Sequence, residues 1–189
     1  MKTKIITKGG DYKDGAATTA LWLGGKVSKS DPRIEVVGEI DELHGWMGTI
    51  HFFDQETLFG LKIDDYLYQI QKKLTWIMGE VSCIDGLKGE YRKKYPCISE
   101  VDLEDLNGVC ENLLNFEMNH WHLHGQDGPK IAQIDLVCKV TRRVERHIAK
   151  LSALNYEIRD VILNYFNRLS DFFFILARCY AKFLQEKNT

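Results

Sequence analysis

The stretch KIAQIDLVCKVTRRVERHIAKLSA, residues 130–153, decides the fold. Ile134, Val137, Val140, Val144, Ile148 and Leu151 recur at intervals of three and four, the period of one helix face. Residues 156–185 keep the same period in Tyr165, Leu169, Phe172, Phe173, Leu176 and Tyr180. Upstream, Val36, Ile40, Leu43, Met47 and Ile50 predict a helix from Ile34 onward. Tyr66, Ile70, Leu74, Ile77 and Val81 predict another over 61–83. Ser99-Glu100-Val101-Asp102 has the form of a capping box and opens a helix carrying Leu103, Leu106, Cys110 and Leu113. Five helices with short connections predict an all-α, up-and-down five-helix bundle.

Between these helices, residues 84–98, with Gly86, Gly89 and Pro96, and residues 119–129 read as connections. Residues 8–33 are rich in Gly, Lys, Thr and Asp and read as irregular loop, with a turn at Leu23-Gly24-Gly25-Lys26. The expected organisation is one domain over 1–189, an N-terminal segment of 1–33 followed by the bundle of 34–185. The apolar surface around Phe172 to Ile175 is broader than one helix face, which predicts a subunit interface and a homo-oligomer.

A chain of 189 residues is long enough to bury a substantial core. Its formal net charge of −2 gives no general attraction for nucleic acid or for a membrane, so any anion site is local. No apolar run approaches the ~18 residues that span a bilayer. Met1-Lys2-Thr3-Lys4 leads into no apolar signal-peptide core, and a cytoplasmic location is expected. Cys83, Cys97, Cys110, Cys138 and Cys179 are odd in number, widely spaced and without a CxxC pair, as reduced thiols of that compartment would be.

Four stretches carry candidate chemistry. In Thr141-Arg142-Arg143-Val144-Glu145-Arg146, the residues Arg142, Glu145 and Arg146 share a helix face while Arg143 points elsewhere. A guanidinium fork suits phosphate oxygens, although a solvated charged face would show the same residues. Asn167-Arg168-Leu169-Ser170-Asp171 interrupts an apolar helix and needs partners where buried, so the two helices share a polar network or a ligand site. The N-terminal Thr7-Lys8-Gly9-Gly10-Asp11 and its continuation through Gly15, Thr18 and Thr19 has the composition of a phosphate-cradling loop, or of a solvated surface segment; it is not a Walker A sequence. His120-Trp121-His122-Leu123-His124 places imidazoles at alternate positions, either for a metal with help from Asp127 or as a polar loop. Gly38-Glu39-Ile40-Asp41-Glu42-Leu43 places carboxylates early in the first helix, as dipole complements or facing a basic partner.

In this order, the Thr7–Asp11 loop, Val27-Ser28-Lys29-Ser30-Asp31-Pro32-Arg33, Gly38 to Leu43, Arg142 to Arg146 and Asn167 to Asp171 resemble the PduO-type ATP:cob(I)alamin (corrinoid) adenosyltransferases over essentially the whole chain. The resemblance implies a five-helix bundle, a homotrimer with sites between subunits, and transfer of the 5′-deoxyadenosyl group from ATP, with Mg²⁺, to a Co(I) corrinoid such as cob(I)alamin. It implies that Thr7, Lys8, Gly10, Asp11, Gly15, Thr18, Thr19 and Lys29 surround the triphosphate. Arg142 and Arg146 would grip the leaving group, Glu145 and Asn167 would hold the nucleotide, and Asp41 would stand across the subunit junction. It further implies contact with a corrinoid reductase or a B12-dependent enzyme.

Three departures accompany it. The family's arginine one turn before the arginine cluster, partner of the residue matched by Asp41, is Cys138 here. Asp41 is then solvated, protonated or paired otherwise, for example with Lys139 or Arg142. The Phe-bearing stretch at the corrinoid's lower face is replaced by Trp121 to Gln126, leaving Trp121 as a wedge, or His122 or His124 as a cobalt ligand. The loop around Tyr12 to Ala17 is longer. An alternative function follows, that of a diverged paralogue binding ATP or corrinoid without turnover as carrier, sensor or interaction partner.

Overall fold

The helices form where the apolar stripes place them, and their ends are set by short polar devices. In the computed structural model, which describes residues 17–51, 57–58, 60–114 and 123–187, the first long helix is α1, Pro32–His51. Pro32 holds its first position, where a missing N–H leaves nothing unpaired. Just before it, the Asp31 carbonyl accepts from the Ile34 N–H at 2.9 Å and its carboxylate from the Arg33 N–H at 2.9 Å. α2 is Ile63–Val81, α3 is Lys88–Lys94, α4 is Glu100–Leu113, α5 is Pro129–Ala153 and α6 is Asp160–Lys187.

The capping box at α4 is real. Asp102 accepts from the Ser99 N–H at 2.8 Å and from its hydroxyl at 2.9 Å. Burial alone would raise the Asp102 pKa, but these bonds and the Lys73 ammonium hold it below the usual carboxylate value. At α5, Gly128 has φ +102, a backbone state open to glycine, and turns the chain into Pro129.

The five expected helices are present, and α6 is the most deeply buried. It packs along α5 and α4, α5 also packs on α1, and α1 on α2. Phe172, Phe173, Leu176 and Tyr165 are fully buried inside this single chain. The breadth of the apolar surface near Phe172 is therefore accounted for by two helix neighbours within the chain; by itself it marks no subunit interface.

Two expectations are corrected. Residues 84–98 hold a 3₁₀ turn, Asp85–Leu87, and the short helix α3 rather than plain connection. α3 is mostly charged and docks through Tyr91, whose ring packs where Gly79 of α2 has no side chain; a Cβ there would clash with the Tyr91 hydroxyl. The loop expected over 8–33 contains, in its described part, a two-stranded hairpin of β1, Thr18–Ala20, and β2, Lys26–Ser28. The Leu23-Gly24-Gly25 turn closes it with positive φ at all three residues. Trp22 then bridges the hairpin to the end of α2 through Ser82 and Cys83. A second small ladder pairs β3, Thr57–Leu58, with β4, Leu61–Lys62.

Candidate functional site

The hairpin fixes the segment that carries Lys29. Thr18 lies opposite Ser28, and the Lys29 N–H donates to the Ala17 carbonyl at 2.8 Å. Thr18, Thr19 and Lys29 thus occupy one local unit, with Thr18 and Lys29 exposed. Its far end is anchored by Arg33, 9% exposed, whose guanidinium donates to both Asp31 oxygens at 2.9 and 2.8 Å. The same guanidinium lies 5.1 Å over the Tyr156 ring, tying the segment to the α5–α6 connection. Hydrogen bonding and charge from Arg33 hold the Asp31 carboxyl below its usual value.

The α5–α6 face carries the second group. Asn167 donates to Glu145 Oε1 at 3.0 Å, so the two helices do share the polar pairing that their sequences suggest. Arg142 and Arg146 stand one turn apart on α5, both exposed. Among the described residues neither forms an ion pair, which leaves two guanidinium forks open toward solvent, the arrangement that an oligophosphate neutralises. Arg168 lies 3.7 Å from Asp171 on its own helix.

Arg143 has a role that the sequence does not disclose. It is held by Glu42 and lies 3.3 Å from Glu39, across the α1–α5 contact. Trp46 Nε1 donates to Glu42 at 3.2 Å. The Glu42 carboxyl, bonded by Arg143 and Trp46, sits below its normal pKa. Partners more than a hundred positions apart are visible only once helix register is known.

Asp41 is exposed, and among the described residues no ion pair joins it to Lys139 or Arg142. Its carboxyl therefore faces solvent in the single chain. Cys138 is fully buried and its thiol donates to the Ser170 carbonyl at 3.3 Å. Burial pushes that thiol up, keeping it a neutral donor.

Near the start of α5, His124 Nδ1 lies 3.1 Å from Asp135 Oδ2, and Arg178 Nη2 donates to the same oxygen at 2.7 Å. Asp135 and Arg178 are both essentially buried, a pair that an Asp among the apolar residues of α5 and an Arg in the apolar stretch of α6 only hint at. Thr7, Lys8, Gly10, Asp11 and Gly15, together with Trp121 and His122, lie outside the described residues. Of the histidine run, His124 alone is described, and its carboxylate contact is Asp135, with Asp127 directed at Arg178 at 3.9 Å.

No helix among the described residues is long and apolar enough to cross a membrane. A family model described as cobalamin adenosyltransferase matches residues 5–180. The cobalamin adenosyltransferase of Cupriavidus metallidurans is 32% identical over 178 residues, 93% of this chain and 87% of that protein. The corrinoid adenosyltransferase PduO of Salmonella typhimurium is 27% identical over 175 residues, 92% of this chain but 48% of that protein, so the chain spans about half its length. A variant of the PduO-type ATP:corrinoid adenosyltransferase from Lactobacillus reuteri, solved with cobalamin and ATP, superposes with a TM-score of 0.79 at 26% identity, covering 96% of each chain.

Proposed function

This chain belongs to the cobalamin adenosyltransferase family, and from that premise we propose that it transfers the 5′-deoxyadenosyl group of MgATP to the cobalt of a reduced Co(I) corrinoid. The Co(I) electron pair attacks C5′, a cobalt–carbon bond forms, the C5′–O bond breaks, and triphosphate leaves with that bond's electrons. No side chain need form a covalent intermediate, so the protein's contribution is positioning and charge stabilisation.

The observation that carries this reading is the open pair Arg142 and Arg146 beside the Glu145–Asn167 hydrogen bond. In this reading the arginines take the growing charge of the departing triphosphate. Glu145 and Asn167 hold the nucleotide. Lys29, Thr18 and Thr19 approach the phosphates from the hairpin, with Thr7, Lys8, Gly10, Asp11 and Gly15 completing the loop. Trp121 or His122 meets the corrinoid, and Asp41, solvated in the single chain, faces a neighbour in a homotrimer. A reductase that supplies Co(I), or an enzyme that consumes the adenosylated product, is the partner this chemistry calls for.

One observation favours a second reading, binding without turnover: Cys138 buries itself against Ser170, so position 138 carries no cation. Calorimetric titration with ATP, paired with triphosphate release in the presence of chemically reduced corrinoid, separates the two. Binding with stoichiometric triphosphate release supports transfer. Binding with no release would replace it by the carrier or sensor role.

A further inference from the structure

Between the N-terminal half of α1 and the C-terminal half of α5 lies a set of side chains that the nucleotide reading does not use. Glu35 and Glu39 are one turn apart on α1, and His147 faces them from α5. One ligand atom from each lies within 4.8 Å of the others. His147 Nδ1 is 2.7 Å from Glu39 Oε2. Yet both atoms are shielded from solvent and neither makes an aligned hydrogen bond. Two lone-pair atoms held this close without an aligned hydrogen bond are a pair that a shared cation would accept.

The local charge agrees. Glu35, Glu39 and Glu42 bring three carboxylates, while Arg143 brings one guanidinium, an excess of two acidic groups over basic ones around His147. Arg143 does not compete for the open position, because it is held by Glu42 and approaches Glu39 through Oε1, leaving Oε2 to face His147. We propose that Glu35, Glu39 and His147 bind a divalent transition-metal ion, Zn²⁺ or Co²⁺, at a site that fastens α1 to α5.

One imidazole with two carboxylates suits this class of ion rather than Mg²⁺ or Ca²⁺, which take oxygen ligands. Ligand atoms about 2.1 Å from one ion sit roughly 3–4 Å apart. The His147–Glu39 contact would open from 2.7 Å and the exposed Glu35 side chain would rotate inward to close the set, with water in the remaining positions. The consequence is mechanical: α1 follows directly on the Lys29 segment and α5 carries Arg142 and Arg146, so the ion would fix the angle between the two halves of the proposed nucleotide site.

The test is titration of metal-stripped protein with cobalt(II) chloride, read by visible d–d absorption, with zinc(II) as competitor. The expected result is one Co²⁺ per chain, no thiolate-to-metal charge-transfer band, and displacement by Zn²⁺. His147→Ala and Glu35→Ala should each weaken binding by more than about 100-fold, beyond the cost of losing an outer-shell partner. Glu35 is exposed, so its variant keeps the fold and remains informative should His147→Ala unfold. Absence of a d–d band, or a band that survives both substitutions, would overturn the site. The measurement needs neither ATP nor corrinoid, so its failure would leave the adenosyl-transfer reading standing, and the reverse.

Discussion

Cys138 shows how one position changes meaning with its surroundings. Matched to the family pattern, it is a missing cation; inside this bundle it is a fully buried thiol bonded to Ser170. Cys138→Arg would drive a guanidinium into the α5–α6 contact, where a nearby buried carboxylate, Asp135, is already taken by Arg178. An unpaired buried charge costs about 3–5 kcal/mol. Differential scanning calorimetry should therefore show a Tm lower by roughly 10 °C, with no gain in activity; an unchanged Tm with higher activity would mean the arginine reaches Asp41 after all. Arg142→Ala is the opposite case. The side chain is exposed, so Tm should hold while kcat/KM for ATP falls about 100-fold or more, as when one transition-state donor is lost. An unaltered kcat/KM would remove Arg142 from the triphosphate site.

At the scale of elements, the anchors are ion pairs at helix junctions. Glu80 on α2 accepts from Arg159 just before α6 at 2.7 and 2.6 Å, and from Arg92 on α3 at 3.2 Å. Burial raises the Glu80 pKa, but the two arginines outweigh it and hold the carboxyl below its normal value. A depressed carboxylate contributes stability that is fully present above its unfolded pKa, about 4.3, and is lost as pH falls through the lower folded value. Urea melts of the protein should thus weaken steeply below about pH 4.3, and Glu80→Gln should remove part of that slope while costing about 3–5 kcal/mol at neutral pH. An acid limb of the same steepness in the variant would assign the slope to other carboxylates. The Arg33–Asp31 pair does comparable work for the Lys29 segment. Arg33→Ala should cost about 1–2 kcal/mol and raise the KM for ATP several-fold; a lowered kcat with KM unchanged would contradict an anchoring role.

Across the whole molecule, what the sequence discloses follows the length of the signal. α5 and α6 carry six or more turns of apolar repeat, and their existence, spacing and inward residues read directly from the chain. The α4 start was legible because Ser99 and Asp102 are three positions apart. The hairpin was not: β1 and β2 have three residues each, and alternation over so few positions is indistinguishable from loop. α3 was hidden because its seven residues are mostly charged and carry no apolar repeat, docking through Tyr91, the buried Lys88 and Arg92. In the candidate site, Arg142, Glu145, Arg146 and Asn167 were legible as residue types at helical spacing, and the Glu145–Asn167 contact joins the two stretches. Arg143 with Glu39 and Glu42, and Asp135 with Arg178, were not, since pairs between distant segments depend on helix register that no local pattern records.

The proposed assembly belongs to this scale too. A homotrimer would run in sedimentation equilibrium at about three times the 21.9 kDa chain mass, whereas a monomeric profile at assay concentration would leave Asp41 without a neighbour.

The measurement that bears most directly on the central claim is anaerobic incubation of the protein with MgATP and chemically reduced cob(I)alamin, following the absorbance of adenosylcobalamin. The account predicts steady, ATP-dependent formation of adenosylcobalamin with one triphosphate released per turnover. Protein that binds ATP and corrinoid yet yields neither product would contradict it.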